Sequence, residues 1–464
     1  MFIGRDKELA KLNQLYNSDK FEMAVIYGRR RIGKTTLINE FVKDKPTIYF
    51  TGVEANEKVN LENLSQSILE YDGSYTDNTP IFDSFENALK RVFALSENNR
   101  LVVVIDEYPY LYGAYKAISS ILQNLIDKNK DSSKLFIILC GSSVSFMENQ
   151  VLGYKSPLFG RRTAQIKIEQ FEFSESRNFF SRYNNLDSAV IYGITGGIPL
   201  YMTKMDDRLS VEENIKRNFF DTSAYLYDEP TNLVKQECRE PAQYNSIIQA
   251  IARGASRLSE IASKIGNDKT SVVSMYLKTL IEIGIVKKEF PYKESGTRKT
   301  IYSLSDTMFQ FWYRFVPNHA ALINKGQADL VYKLIKPQLP AFMGFVFEEI
   351  CKQYLWHENI KGNLPIIFTD LGRWWGNDPI KKTETEIDIV ASDENNNGIL
   401  AECKWTNDKV DKSVLDDLFD QGRLFPYKST HYYLFSKSGF TDGCIELSKQ
   451  LGNVHLITFE EMYE

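Results

Sequence analysis

The chain has 464 residues, 43% of them hydrophobic and 25% charged, with a formal net charge of −5. These are globular values, and the length suits about three or four domains, each able to bury its own core. The acidic balance excludes a surface coated everywhere with nucleic acid but leaves room for a local basic face.

The five cysteines are dispersed, with no CxxC pair, and read as reduced thiols of a cytoplasmic protein rather than as a disulfide framework. The opening stretch MFIGRDKELAKL is charged at once and lacks the apolar segment of a signal peptide. Nowhere is there a run of about 18 apolar residues that would span a membrane.

In chain order, FEMAVIYGRRRIGKTTLINEF (21–41) predicts a buried strand, a glycine-containing loop and a helix. Gly28, Gly33, Lys34 and Thr35 complete GxxxxGK[ST] in the strand–loop–helix setting that motif requires. The glycines let backbone N–H groups approach phosphates, and the start of the helix adds its dipole. Lys34 is expected on the β- and γ-phosphates, with the Thr35 hydroxyl on Mg²⁺. Arg29, Arg30, Arg31 and Ile32 within the loop, and Thr36 after it, extend the nucleotide-contacting set. The three arginines read as phosphate- or partner-facing rather than as a DNA patch.

The next signal is NRLVVVIDEYPYL (99–111), an apolar strand that delivers Asp106 and Glu107 at its carboxyl end, where α/β sheets bind ligands. Asp106 is expected to hold Mg²⁺ through water and Glu107 to polarise the attacking water.

These residues carry a resemblance. FIGRDKEL (2–9), the phosphate loop, DEYPYL (106–111), LFIILCGSS (135–143), PLFGRR (157–162) and GGIPLY (196–201) resemble, in order, the archaeal-type ATPases of the AAA+/STAND superfamily. The resemblance implies Ile3, Gly4 and Arg5 on the adenine side, and either Ser142 or Ser143 as a polar sensor near the γ-phosphate. It also implies Pro199 in the lid element. Arg161 or Arg162 would be either an arginine finger, acting in trans in a homo-oligomer, or a salt-bridge residue of the lid.

From 166 to 240 the pattern is helical with aromatic pairs and carries no chemistry. In 241–305 the reading is three helices, with Ser259 capping the second and Asp268 starting the third, followed by two strands around a polar tip. That is a winged-helix layout. The segment carries ten Lys/Arg against five Asp/Glu, a balance of +5 in an acidic chain. Lys269, Thr270, Ser271 and Ser274, with Lys293, Arg298 and Lys299 on the wing, suit double-stranded DNA; the same module equally serves protein docking.

The end of the chain holds FMGFVFEEICKQYLW (342–356), an amphipathic helix offering Glu348 or Glu349, and then TEIDIVASDENNNGILAECKW (385–405). Period-two alternation puts Glu386 and Asp388 on one face, with Ile387 and Ile389 towards the core. The turn NNNG returns the chain so that Asp388 meets Glu402 and Lys404. Carboxylates so close suit Mg²⁺ or Mn²⁺, with the lysine orienting a water for phosphodiester hydrolysis. This Asp…Glu-x-Lys arrangement resembles the PD-(D/E)xK nucleases. It is similar to a domain of unknown function commonly fused to archaeal-type ATPases, although Ile387 stands where the motif's proline would be. Glu348, Asp388 and Glu402 are the expected ligands there.

The fold expected is α/β: a P-loop AAA+ core (1–165), a helical lid (166–240), a winged helix (241–305) and a restriction-endonuclease-like domain (306–464). The expected function is ATP binding and hydrolysis coupled to DNA binding, with metal-dependent cleavage. The alternative is a nucleotide-gated regulator or scaffold that contacts partners without cutting.

Overall fold

The computed structural model describes the chain except residues 1, 77–79, 268, 295, 297, 298 and 464, so Asp268 and Arg298 lie outside the described residues. The chain divides into two compact units, Met1–Gln170 with Ile198–Leu200, and Phe171–Gly197 with Tyr201–Glu464.

The first unit is built on strands β1 (Glu22–Tyr27), β2 (Thr47–Thr51), β3 (Leu101–Asp106), β4 (Leu135–Gly141) and β5 (Ala164–Lys167). They form one parallel sheet in the order β2-β3-β4-β1-β5. Every residue of β1, β3 and β4 is buried, as near-continuous apolar runs require when helices cover both faces. β5 carries the sheet beyond the expected boundary at 165. Because β4 lies between β1 and β3, the carboxyl ends of three strands open side by side, bringing together the phosphate loop, Ser142 and the Asp106–Glu107 pair.

The second unit opens with helices that include Asn185–Thr195, Val211–Phe219 and Tyr225–Glu237. Next come the helices Pro241–Ala252, Leu258–Lys264 and Thr270–Glu282, with an antiparallel ribbon of β6 (Val286–Glu289) and β7 (Ile301–Leu304). The expected Ser259 cap is displaced. The Glu260 carboxylate accepts the backbone N–H groups of Ser256 (3.0 Å) and Arg257 (3.1 Å), so the helix starts at Leu258 with Arg257 at its cap.

The last part pairs a long helix, Leu339–Lys361, with strands β8 (Leu371–Asp378), β9 (Thr383–Ser392), β10 (Asn397–Lys404), β11 (Ser429–Ser436) and β12 (Val454–Thr458). The order is β12-β11-β10-β9-β8. β8, β9 and β10 form an antiparallel meander, and β10, β11 and β12 run parallel through the crossover helices Lys412–Gly422 and Asp442–Leu451.

The expected alternation along β9 is interrupted. Gly372 pairs with Val390 and Trp374 with Ile387, so Asp388 and Ile389 together oppose the single residue Arg373. This bulge lets Ile387 and Val390, three positions apart, share one apolar cluster with Leu400, Leu418 and Tyr292. Ile387 and Ile389 are therefore not simple same-face partners.

No helix among the described residues is long and apolar enough to cross a membrane.

Candidate functional sites

The phosphate loop follows β1. A Cβ on Gly28 would lie 2.3 Å from the Ile168 carbonyl oxygen, and Gly33 sits at φ +90°, so neither position admits a side chain. Lys34 opens the helix Lys34–Val42, and its ammonium donates to the carbonyls of Gly28 (2.9 Å) and Arg29 (3.0 Å). Burial lowers its pKa, while the charges of Glu107 and Asp106 oppose the shift. The Thr35 hydroxyl donates to Asp106 Oδ2 at 3.0 Å.

Glu107 takes a left-handed conformation (φ +48°), and its N–H donates to Asp106 Oδ1 at 2.9 Å. Ser142 Oγ donates to Glu107 Oε2 at 3.1 Å, whereas Ser143 stands just before the short helix Val144–Phe146 with no side-chain capping bond; of the two candidates Ser142 meets the acidic pair.

Arg5, buried and at φ +65°, donates to the Ile32 and Glu169 carbonyls and so fixes the start of the chain beside the loop, next to Ile3 and Gly4. Pro199 approaches the loop, its Cγ 3.7 Å from where a Gly33 Cβ would stand. Within the loop Arg30 donates to the Tyr110 hydroxyl (2.9 Å), Arg31 takes φ +69°, and Ile32 is fully buried. Thr36 is exposed on the first turn. Arg161 is held by Asp127 through two hydrogen bonds of 3.0 and 2.6 Å, while Arg162 reaches the Leu152 carbonyl at 3.5 Å.

In the second unit the helix Leu339–Lys361 and strands β8–β10 gather a charged cluster. Asp388 Oδ2 accepts the Cys403 N–H at 2.9 Å, and Lys404 Nζ lies 2.5 Å from Glu402 Oε1. Glu402 Oε2 is buried with no hydrogen-bond partner among the described residues. Burial, then the charge of Asp388, push Glu348 and Glu402 up to about 7; burial also raises Asp388. Glu348 thus senses Asp388, and the charges of both Glu349 and Glu348 act on Lys287 of β6.

Among the described residues no three His, Cys, Asp or Glu converge closely enough to hold a metal ion. The expected set of Glu348, Asp388 and Glu402 is therefore not drawn together as a finished metal centre. Lys404 sits on one Glu402 oxygen, and mutual repulsion holds like charges apart. The chemistry of the donors still suits a hard cation: three carboxylates, one with an orphaned buried oxygen.

Arg373 belongs to this cluster and carried no signal in the sequence. It donates to Glu386 at 2.7 Å, has a buried Nε without a partner, and feels the charges of Glu348, Glu386 and Asp388, which raise its pKa against burial.

The ribbon reaches the same strands. Tyr292 N–H donates to the Arg373 carbonyl (2.9 Å), and Lys293 Nζ donates to Ser392 Oγ (2.6 Å). Trp375 Nε1 donates to the Lys299 carbonyl (2.9 Å), and Arg257 pairs with Glu384 (2.8 Å). Four residues of the segment read as a DNA-facing module thus make contacts within the chain.

Comparison with known proteins bears on this arrangement. A family described as an ATPase domain predominantly from Archaea matches residues 2–205, and one described as archaeal and bacterial proteins of unknown function matches 312–414. An uncharacterized protein of Methanocaldococcus jannaschii is 32% identical over 428 residues, 91% of this chain and 92% of that one. The chain belongs to this archaeal ATPase family. An uncharacterized ATP-binding protein of the same organism is 44% identical over 45 residues, 10% of this chain and 76% of the relative. Among solved structures, the Walker-type ATPase of Pyrococcus abyssi superposes with a TM-score of 0.50 at 18% identity, over 68% of this chain and 96% of that one, a likeness of fold.

For the archaeal ATPase, the sequence signals that came together are those of the phosphate loop: Gly28, Gly33, Lys34, Thr35, Asp106, Glu107 and Ser142. ATP is its nucleotide. Tyr49, which touches Asp106, was not marked by any motif.

Proposed function

We propose that this ATPase uses Mg²⁺·ATP as a switch for a phosphodiester-cleaving site in its second unit, acting on double-stranded DNA. In the ATPase unit, Thr35 and Asp106 would hold Mg²⁺, Lys34 would exchange its loop carbonyls for phosphate oxygens, and Glu107 would activate water once released by Ser142. Arg161 would act as a finger towards a second copy only by leaving Asp127.

The observation that supports the nuclease reading is the coupling of charges: Asp388 acts on both Glu348 and Glu402, and Lys404 sits on Glu402 Oε1. A divalent ion bound there supplies Lewis-acid stabilisation of the phosphoryl charge. Lys404 would then turn from Glu402 to orient the attacking water, and Arg373 would offer its unsatisfied Nε to a phosphate oxygen. The winged-helix assignment of 241–305 and the nuclease-like assignment of 306–464 rest on the element order and on these residues.

A second reading has its own support. Arg257, Tyr292, Lys293 and Lys299 are used within the chain, which suits a regulator whose helix–ribbon module and terminal sheet bind partners without cutting.

Purified protein is incubated with end-labelled DNA in Mg²⁺ or Mn²⁺, with and without ATP, beside Lys34→Ala and Asp388→Ala. Cutting that vanishes in Asp388→Ala supports the nuclease, and its loss in Lys34→Ala supports gating by ATP. Intact ATP turnover with no cutting anywhere selects the regulator.

A further inference from the structure

The β2 sequence TIYFT (47–51) alternates. Ile48 and Phe50 enter the apolar cluster on one face of the first sheet, so Tyr49 projects to the other. Its backbone is in register with Val104 of β3, two residues before Asp106. From there the Tyr49 hydroxyl donates to Asp106 Oδ2 at 2.9 Å. That oxygen also accepts from Thr35 (3.0 Å), while Oδ1 accepts the Glu107 N–H (2.9 Å).

Asp106 is only 5% exposed, and the oxygens of a buried carboxylate need hydrogen-bond donors. Thr35 is a divided donor, because the same hydroxyl is the one a cation on the nucleotide would take. When Thr35 turns to the cation, Tyr49 is the side-chain hydroxyl left on Oδ2.

We propose that Tyr49 is a positioning residue of the ATPase site, holding Asp106 Oδ2 in the orientation that receives the nucleotide-bound divalent cation. The inference rests on Asp106 serving that cation. It adds a residue from β2, outside the phosphate loop and the Asp106–Glu107 pair.

Tyr49→Phe removes the hydroxyl and keeps the ring. The test uses full-length protein with two binding readouts: Mn²⁺ affinity of the ADP complex by electron paramagnetic resonance, and affinity for a fluorescent ATP analogue in EDTA. Tyr49→Phe is expected to weaken Mn²⁺ about tenfold, the scale of one hydrogen bond to a charged group, with nucleotide affinity in EDTA and the thermal midpoint unchanged. Unchanged Mn²⁺ affinity in Tyr49→Phe, with Asp106→Asn weakening it, overturns the role of Tyr49 alone. Unchanged affinity in both variants overturns the cation role of Asp106 as well. An equal loss in EDTA would make Tyr49 a structural residue and also overturn the proposal.

Discussion

Lys34 illustrates how a loop satisfies a buried ammonium. Its ammonium is held by two loop carbonyls, and burial lowers its pKa, so a phosphate that replaces those carbonyls restores a full charge pairing. Lys34→Ala is expected to cut ATP turnover by at least about a hundredfold, measured as released phosphate. With Glu107 as the proposed general base, Glu107→Gln should lower kcat by about a hundredfold or more and leave nucleotide binding intact, because the N–H to Asp106 remains. The terminal cluster behaves in the opposite sense. Its carboxylates are buried near one another, so Asp388→Asn should stabilise the metal-free second unit at pH 8 by about 1 kcal/mol. In the same melting experiment Mn²⁺ should raise the midpoint of the wild type and not that of Asp388→Asn, by mass action on the folded state.

Elements explain why those residues meet. The order β2-β3-β4-β1-β5 sets three loaded strand ends in a row. The apolar runs of β1, β3 and β4 made each strand legible, but their lateral order depends on which helices cover them. In the terminal sheet, the turn that returns β10 beside β9 spans Asp393–Asn396 and so starts ahead of the expected NNNG stretch, whose Asn397 and Gly398 already open β10. The bulge at Asp388–Ile389 was not legible, because an extra residue in one strand is defined only against its partner. It is also what brings Arg373 opposite Asp388. Tyr292 enters the apolar cluster of this sheet from the ribbon, buried against Ile387, Val390 and Leu418. Tyr292→Ala should therefore cost about 3 kcal/mol in a denaturant melt of the second unit, a large loss for a residue that follows a short ribbon strand.

Across the whole molecule, the distribution of basic side chains decides how DNA could be met. The +5 balance of 241–305 is partly committed within the chain, through Arg257 to Glu384 and Lys293 to Ser392. Binding of duplex DNA should accordingly show a shallow salt dependence, with a slope of log K against log salt no steeper than about −3. A slope near −6 would mean that these contacts open on DNA. The sequence by itself determined the nucleotide chemistry, because a phosphate loop is local: glycine spacing, one lysine and one hydroxyl act within a single turn of chain. It also made legible the strands that carry Asp388 and Glu402. Only the tertiary structure decided that Tyr49 supports Asp106, that Arg373 joins the carboxylates, and that Lys404 rests on Glu402. Those meetings depend on strand order, a bulge and a docked ribbon, and long-range registers of that kind leave no periodic trace in the chain.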